Sequence, residues 1–384
     1  MHLSFILKAS NSSDCIIVNL TFALLMKNRF LLLLLTCLCI ASSCSENAPF
    51  ERATLLDNYA NHIIIPALND LSRSSTSLTG AVAQLDSSKS QEHLSNAQAA
   101  WDRTYQAWIK VSHLNFGPGG SEGRRRSILE EVALWPIDLE GIEEKIESAA
   151  PDLNDAKRNT RGLLTAGYIL FSEEPSNLLA ASEVTNRLNY LVLVVKELDQ
   201  EFKRLQQEWI SSYAETFVGN DGTSVKSSTT LMFNEMARSM ETLRDLKLGI
   251  PMGLIAGQSG PQPDLAEARF SQKSLAYLLL NYEALVSFWR GTRFNGEEGI
   301  GFEEYLQSVE GGKTLVDQIN AQCQKIDAIV SKVPSNQTLA QLAQNNDPRL
   351  TELYQELQGL TRLLKAESSS LLGLAITFSS GDGD

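Results

Sequence analysis

Apolar residues recur every three or four positions along most of the chain beyond residue 50. One such stripe runs from Val184 to Tyr213 and another from Leu350 to Leu374. This spacing is that of an amphipathic α-helix with one buried face, and no segment shows the sustained alternation of a β-strand between hairpin turns. The pattern therefore predicts an all-α protein without a β-sheet.

Further stripes, separated by prolines and glycines, place the other helices. Residues 218–224 contain two glycines and no apolar stripe, which indicates a break in the chain. We therefore expect an N-terminal helical bundle over 51–217, a linker over 218–224 and a C-terminal helical bundle over 225–384. The remaining helices are predicted over about residues 51–85 (bent near Pro66), 91–115, 139–148, 155–171, 227–248, 264–290, 302–309 and 312–333.

The start of the chain has the pattern of an export signal. The basic segment Met26–Arg29 precedes the apolar run Phe30–Ala41, which is too short to span a bilayer. Small residues then lead to Cys44, as in the lipobox of bacterial lipoproteins, although Ala41 stands where leucine is usual. We expect Cys44 to carry a lipid and to be the first residue of the mature protein.

The same pattern predicts where the protein is located. Residues 1–25 are interpreted as an over-extended start, with a genuine longer leader as the alternative, residues 26–43 as the signal peptide and residues 44–50 as a tether. Ser45, rather than an aspartate, follows the cysteine. We therefore expect the lipid of Cys44 to anchor the protein in a membrane of a Gram-negative cell envelope, namely the outer membrane.

Charge and composition exclude several classes of function. The 384 residues carry a formal net charge of −13, and the only run of positive charge, Arg124–Arg126, has no interleaved aromatic residues. A nucleic-acid partner is therefore not expected, because it requires a basic surface. Without the leader and Cys44, the only cysteine left is Cys323. It lies on an apolar helical stripe and is expected to be a buried thiol without a disulfide.

Common catalytic motifs are absent from the sequence. His62, His93 and His113 do not form H-E-x-x-H, and none has a glutamate three residues later, which removes the usual two-histidine zinc site. No segment of the sequence matches the phosphate-loop motif or the G-x-S-x-G motif of a nucleophile elbow. His113 lies beside an unusual glycine-rich loop. Two interpretations of His113 remain open: it contributes to a functional site, or it is a residue of the core.

Several short segments follow one another along the second part of the chain in a fixed order. They are Phe116–Pro118, Trp135–Asp138, Arg161–Gly162, Tyr168–Phe171, Lys247–Gly253, Ser271 with Ser274, Asn281, Gly291, Leu372–Phe378 and Gly381–Asp384. With these segments the chain resembles, over about residues 52–384, the imelysin family of exported bacterial helical proteins. The resemblance implies two four-helix bundles with a cleft between them, a link to bacterial iron acquisition and a peptidase label.

The chain departs from that family in its hallmark motif, G-x-H-x-x-E. The corresponding residues are Gly162 to Gly167, with Leu164 in place of the histidine and Gly167 in place of the glutamate. A histidine and a glutamate three apart share a helix face and can hold one metal ion, which leucine and glycine cannot do. We therefore expect no enzyme activity, with a metal-dependent peptidase as the alternative. Replacement ligands could come from Asp138, Glu130, Glu131 or His113, although nothing in their spacing requires it.

A ligand site is predicted where the long loops around residues 135–136 and 249–263 meet the cleft. The function expected from the resemblance is a non-catalytic binding or accessory protein for the uptake of iron, another divalent metal or a small ligand, with iron-uptake or other envelope proteins as partners. A purely structural envelope protein is a further alternative. For Trp135 and Asp138 the competing interpretation is a core residue and a helix N-cap. The predicted site residues are Trp135, Asp138, Arg161, Gly162, Leu164, Gly167 and Ser271.

Overall fold

Helices form the whole regular structure of the described chain. The computed structural model describes residues 50–120, 127–148, 151–154, 156–180 and 184–378, and within these ranges it contains no strand. The prediction of an all-α fold is confirmed. No helix in these ranges is both long and apolar enough to cross a membrane. The predicted signal peptide, Cys44 and residues 44–49 of the tether lie outside the described residues.

The helices are numbered here in chain order. Several of them continue through π-helical segments, which occur at Asn58–Ile64, Trp209–Tyr213, Leu243–Gly249 and Leu363–Ser368. The α-helices are α1 (Arg52–Asp57), α2 (Ile65–Ser88), α3 (Gln91–Ile109), α4 (Ile128–Val132), α5 (Leu139–Glu147), α6 (Leu163–Phe171), α7 (Pro175–Ala180), α8 (Val184–Glu208), α9 (Ala214–Gly219), α10 (Ser228–Thr242), α11 (Ile250–Met252), α12 (Ser274–Trp289), α13 (Phe302–Gln307), α14 (Gly312–Val330), α15 (Leu339–Gln344), α16 (Pro348–Arg362) and α17 (Ser369–Leu372).

Local sequence explains where many helices begin and end. Lys89 adopts the left-handed conformation that ends α2, and the hydroxyl of Ser90 then accepts a hydrogen bond from the backbone N–H of His93 at 3.2 Å. Asp347 caps α16 in the same way, accepting from the N–H of Arg349 at 3.0 Å, and Pro348 occupies the first turn. Such caps satisfy backbone donors that a helix leaves free at its start.

Two predicted helices begin later than expected. The helix predicted over 155–171 begins only at Leu163, after Gly162 with a φ of 92°. The helix predicted over 264–290 begins only at Ser274, because Ala268 and Gln272 have φ values of 55° and 60° that no α-helix accepts. Short 3₁₀ turns at Pro263–Leu265 and Arg269–Ser271 occupy the segment before it.

The helices pack in two groups of four. In the first group, α2 contacts α3 and α8, and α6 also contacts α3 and α8. In the second, α10 contacts α12 and α16, and α14 contacts α16. The hydroxyl of Tyr282 on α12 lies 3.3 Å from a carboxylate oxygen of Asp327, which connects α12 to α14. Cys323 is buried on α14.

The two groups share one hydrophobic core. The hydroxyl of Tyr59 donates to the backbone carbonyl of Phe288 at 2.5 Å, and α12 packs directly against α3. The described residues from Phe50 onward form one unit by their internal contacts. The boundaries 51–217, 218–224 and 225–384 remain a prediction from the sequence.

Candidate functional site

A cavity of about 200 Å³ lies where α3 and α4 face α10 and α12. We call it the central cavity. Its walls come from both sides of the predicted linker, so the fold brings together residues that are more than 100 positions apart. They include Trp108, Asn115, Leu129, Glu130, Trp135, Glu235, Arg238, Leu246, Lys247, Glu267 and Asn281.

Charged side chains on the wall of the central cavity are paired with each other. Lys247 and Glu267 lie 2.9 Å apart with about 16% of each side chain exposed, and Glu235 and Arg238 lie 3.3 Å apart. Burial raises the pKa of Glu235, while Arg238 and a hydrogen bond from Asn115 partly oppose this effect. The positive charges of Lys247 and Arg238 in this wall are therefore balanced by the neighbouring glutamates Glu267 and Glu235.

Apolar side chains form the rest of the central cavity. Trp108 is buried and Trp135 is half-buried, while Leu129 and Leu246 are 36% and 43% exposed. Large exposed apolar residues beside a concave surface are typical of a binding site rather than of a solvated face. The cavity can thus accept a molecule with an apolar body.

A second cavity, of about 190 Å³, lies on the other side of Trp135, and we call it the side cavity. Trp135 is shared by both cavities, and Leu164 on α6 belongs to the side cavity. The residues that line it are Trp135, Pro136, Ile137, Leu139, Leu164, Asp264, Leu265, Ala266, Ala268, Arg269 and Phe270. Of the predicted site residues, these two therefore line a cavity.

The two glycines of the altered motif allow close packing. Gly162 has a φ of 92°, and a Cβ atom there would lie 2.3 Å from the carbonyl oxygen of Val132. A Cβ atom on Gly167 would lie 2.6 Å from Cζ2 of Trp101. Trp101 is fully buried and donates its indole N–H to the carbonyl oxygen of Leu163 at 2.8 Å. Trp101 thus fills the space beside Gly167, where the family motif has a glutamate.

Asp138 caps a helix. Its carboxylate accepts from the backbone N–H of Gly141 at 3.0 Å and pairs with Lys157 at 3.0 Å. These two interactions hold the pKa of Asp138 below its usual value. This geometry is the N-cap interpretation that the sequence left open, and Asp138 is not part of either cavity wall.

Arg161 and Ser271 also have local structural partners. The guanidinium of Arg161 is 8% exposed and pairs with Glu131 and, at 2.5 Å, with Glu197, so it ties α4 and α8 to the start of α6. The hydroxyl of Ser271 donates to the carbonyl oxygen of Ala268 at 2.8 Å. Ser271 therefore closes a turn in the segment that borders the side cavity.

The acids suggested as replacement ligands each pair with a basic side chain, and the suggested histidine is buried against an aromatic ring. Glu130 pairs with Arg158 at 3.1 Å, while Glu131 and Asp138 pair with the basic residues already described. Burial lowers the pKa of His113 to about 3. Its ring packs against the ring of Phe288, with 4.2 Å between the two ring centroids. Across the described ranges, no group of three His, Cys, Asp or Glu side chains could hold a metal ion. These residues do not fit the metal that the family's motif would bind.

Sequence reasoning missed the polar residues of the central cavity. Lys247 and Asn281 lie in segments that carry the family resemblance, so their segments were noticed but their roles were not. Glu235 and Glu267 carry no motif at all. Glu235 on α10 and Asn281 on α12 come together because these two helices pack against each other, and Lys247 and Glu267 lie in the segments that follow α10 and precede α12.

Comparison with known proteins identifies what the chain is similar to. The family model described as Imelysin (Peptidase M75) matches residues 64–364. A structure from Parabacteroides distasonis ATCC 8503, described as an iron-regulated protein A precursor, has a TM-score of 0.70 at 22% identity and covers 85% of this chain and 97% of its own. An imelysin-like protein from Psychrobacter arcticum 273-4 has a TM-score of 0.66 at 18% identity, with the same coverage. The search of curated proteins gave no match.

Proposed function

Because the chain belongs to the imelysin family, we propose that it is a non-catalytic binding protein of the bacterial cell envelope that serves the uptake of iron, another metal or a small ligand. The observation that carries the proposal is the packing at the altered motif. Leu164 lies in a largely apolar wall, and Gly167 lies against Trp101. The similar protein described as iron-regulated supports the connection to iron.

The chemistry of hydrolysis explains why this packing matters. A metal-dependent peptidase must hold its ion with an open coordination position and keep a base beside the bound water. Neither Leu164 nor Gly167 offers a ligand or a base. The central cavity, by contrast, combines apolar walls with a few polar groups, which is the usual composition of a small-ligand site.

Titration with metal ions tests the non-catalytic proposal against the peptidase alternative. We expect no zinc or iron(II) binding tighter than 1 μM, equivalent to about −8 kcal/mol, and no cleavage of unstructured peptides by the purified protein. Calorimetry and a peptide-cleavage assay measure these two quantities. Peptide cleavage that depends on added metal and is lost in Glu235→Gln or Glu267→Gln would overturn the non-catalytic proposal. Submicromolar metal binding without cleavage would instead show a metal site in the central cavity and identify the ligand as a metal ion.

The location of the protein is the second part of the proposal. The pattern from Met26 to Cys44 supports export and attachment of lipid to Cys44, and attachment through several acyl chains would be stable. Other envelope proteins, including those of iron uptake, would then be its partners. Intact-mass measurement after membrane extraction should give a chain that begins at a lipidated Cys44. The Cys44→Ser variant should appear in the soluble fraction, and a wild-type chain with unmodified Cys44 would contradict the proposal.

A further inference from the structure

Two large apolar side chains that are exposed to solvent belong to the wall of the central cavity. Leu129 on α4 is 36% exposed, and Leu246, in the π-helical segment after α10, is 43% exposed. The half-buried Trp135 lines the same cavity. Apolar surface in contact with water is unfavourable, so a molecule that covers these three side chains gains free energy.

The charged side chains of the wall already have partners within the protein. Their ion pairs are Lys247–Glu267 at 2.9 Å, Arg238–Glu235 at 3.3 Å and Glu130–Arg158 at 3.1 Å. A charged ligand would lose hydration on entering and would find a free countercharge only by separating one of these pairs. Separation is most costly for Lys247 and Glu267, whose side chains are only about 16% exposed. The wall therefore favours an uncharged ligand.

The volume of the central cavity limits the size of that ligand. It is about 200 Å³, below the range of about 300–1,000 Å³ that is typical for drug-sized molecules. An apolar cavity of about 150 Å³ in another protein holds one benzene molecule. The central cavity thus has room for a single ring with a small substituent, and such a ring packs well against the indole of Trp135.

Building on the proposed binding function, we propose that the central cavity binds a small uncharged apolar molecule of about the size of one substituted ring. The ligand contacts Leu129, Leu246 and Trp135. It needs no hydrogen bond from the wall, and its affinity comes from the apolar surface that it covers.

Three probes of nearly equal size test the charge preference on the full chain at neutral pH. Toluene is uncharged, benzoate is an anion and benzylammonium is a cation. We expect toluene to bind at least tenfold more tightly than either ion, because each ion loses hydration in the cavity without gaining a free countercharge. Ligand-observed NMR measures the three affinities, and this ranking requires no variant of the protein.

A substitution in the wall tests where toluene binds. Leu246→Asp should weaken toluene binding at least tenfold, because it replaces an apolar contact by a hydrated carboxylate. The matched control is Ile210→Asp. Ile210 is also a large apolar residue, is 49% exposed and lines neither the central nor the side cavity, so its replacement should leave the affinity unchanged. Leu129→Asp, on a different element, repeats the test if Leu246→Asp does not fold.

The outcomes separate this inference from the proposed function. Benzoate or benzylammonium binding as tightly as toluene would overturn the assignment of an uncharged ligand and leave small-ligand binding in place. Toluene affinity that is equal in wild type and in both wall variants, or an absence of toluene binding, would overturn the assignment to the central cavity. The non-catalytic role is decided separately, by the metal titration and the peptide-cleavage assay.

Discussion

At the scale of single residues, the packing of Gly167 against Trp101 makes a prediction about stability. Gly167→Ala would place a methyl group 2.6 Å from the fully buried indole. Overpacking of a core costs about 1–3 kcal/mol, against a gain in helix propensity of up to about 1 kcal/mol. We expect a net loss of up to about 2 kcal/mol in the free energy of unfolding, measured by urea denaturation.

Gly80 provides the matched control for this prediction. It lies on the exposed face of α2, and a Cβ atom there would have nothing within 4 Å. Gly80→Ala should therefore stabilise the protein by about 0.5–1 kcal/mol. Equal effects of the two substitutions would show that Trp101 has room to move. If Trp101 is fixed, restoring the family motif with Leu164→His and Gly167→Glu also requires a smaller residue at position 101.

At the scale of elements, hydrophobic periodicity predicted the long helices because their buried stripes are continuous. Helix α8 and its π-helical continuation follow the stripe from Val184 to Tyr213. The segment before α12 was wrongly predicted as helix, since its apolar residues contact the side cavity rather than form a helix face. The left-handed backbone conformation of Ala268 and Gln272 cannot be recognised from the pattern of hydrophobic residues.

Local polar interactions explain the other late helix start. The helix predicted from residue 155 begins only at Leu163. Just before it, Arg161 forms ion pairs with Glu131 and Glu197, and Gly162 has a positive φ that changes the direction of the chain. Those glutamates belong to other elements, so a single segment of sequence contains no information about them. Caps such as Asp138 and Asp347 could be predicted, because their partners lie within three residues.

At the scale of the whole molecule, the candidate site could be predicted only in part. Trp135 was found because it belongs to a recognisable segment, and the structure places it between the two cavities. Asn281 and Glu235 were not found as site residues. They share the wall of the central cavity with Asn115 only because the second group of helices packs on the first. Contacts across such distances follow from tertiary packing rather than from spacing.

The pH dependence of the whole fold is predicted from His113. This residue is 2% exposed, and burial lowers its pKa to about 3. In the unfolded chain its pKa is about 6.5. Between about pH 6.5 and pH 3, His113 is therefore protonated in the unfolded chain but stays neutral in the folded protein. The stability that neutral His113 provides is complete above pH 6.5 and is lost below it, by up to about 1.4 kcal/mol per pH unit.

Replacing His113 by leucine should remove this part of the acid dependence. We expect the difference in unfolding free energy between His113→Leu and wild type to increase steadily from pH 7 to pH 4 in favour of the variant, as measured by urea denaturation at each pH. Burial raises the pKa of Glu197 and Glu235, which favours the folded state as the pH falls, but both proteins share this effect and it cancels in the difference. The exposed His62, replaced by glutamine, is the control. A difference that stays constant with pH would mean that the folded protein accepts a proton on His113, and that its ring is not held in the apolar contact with Phe288.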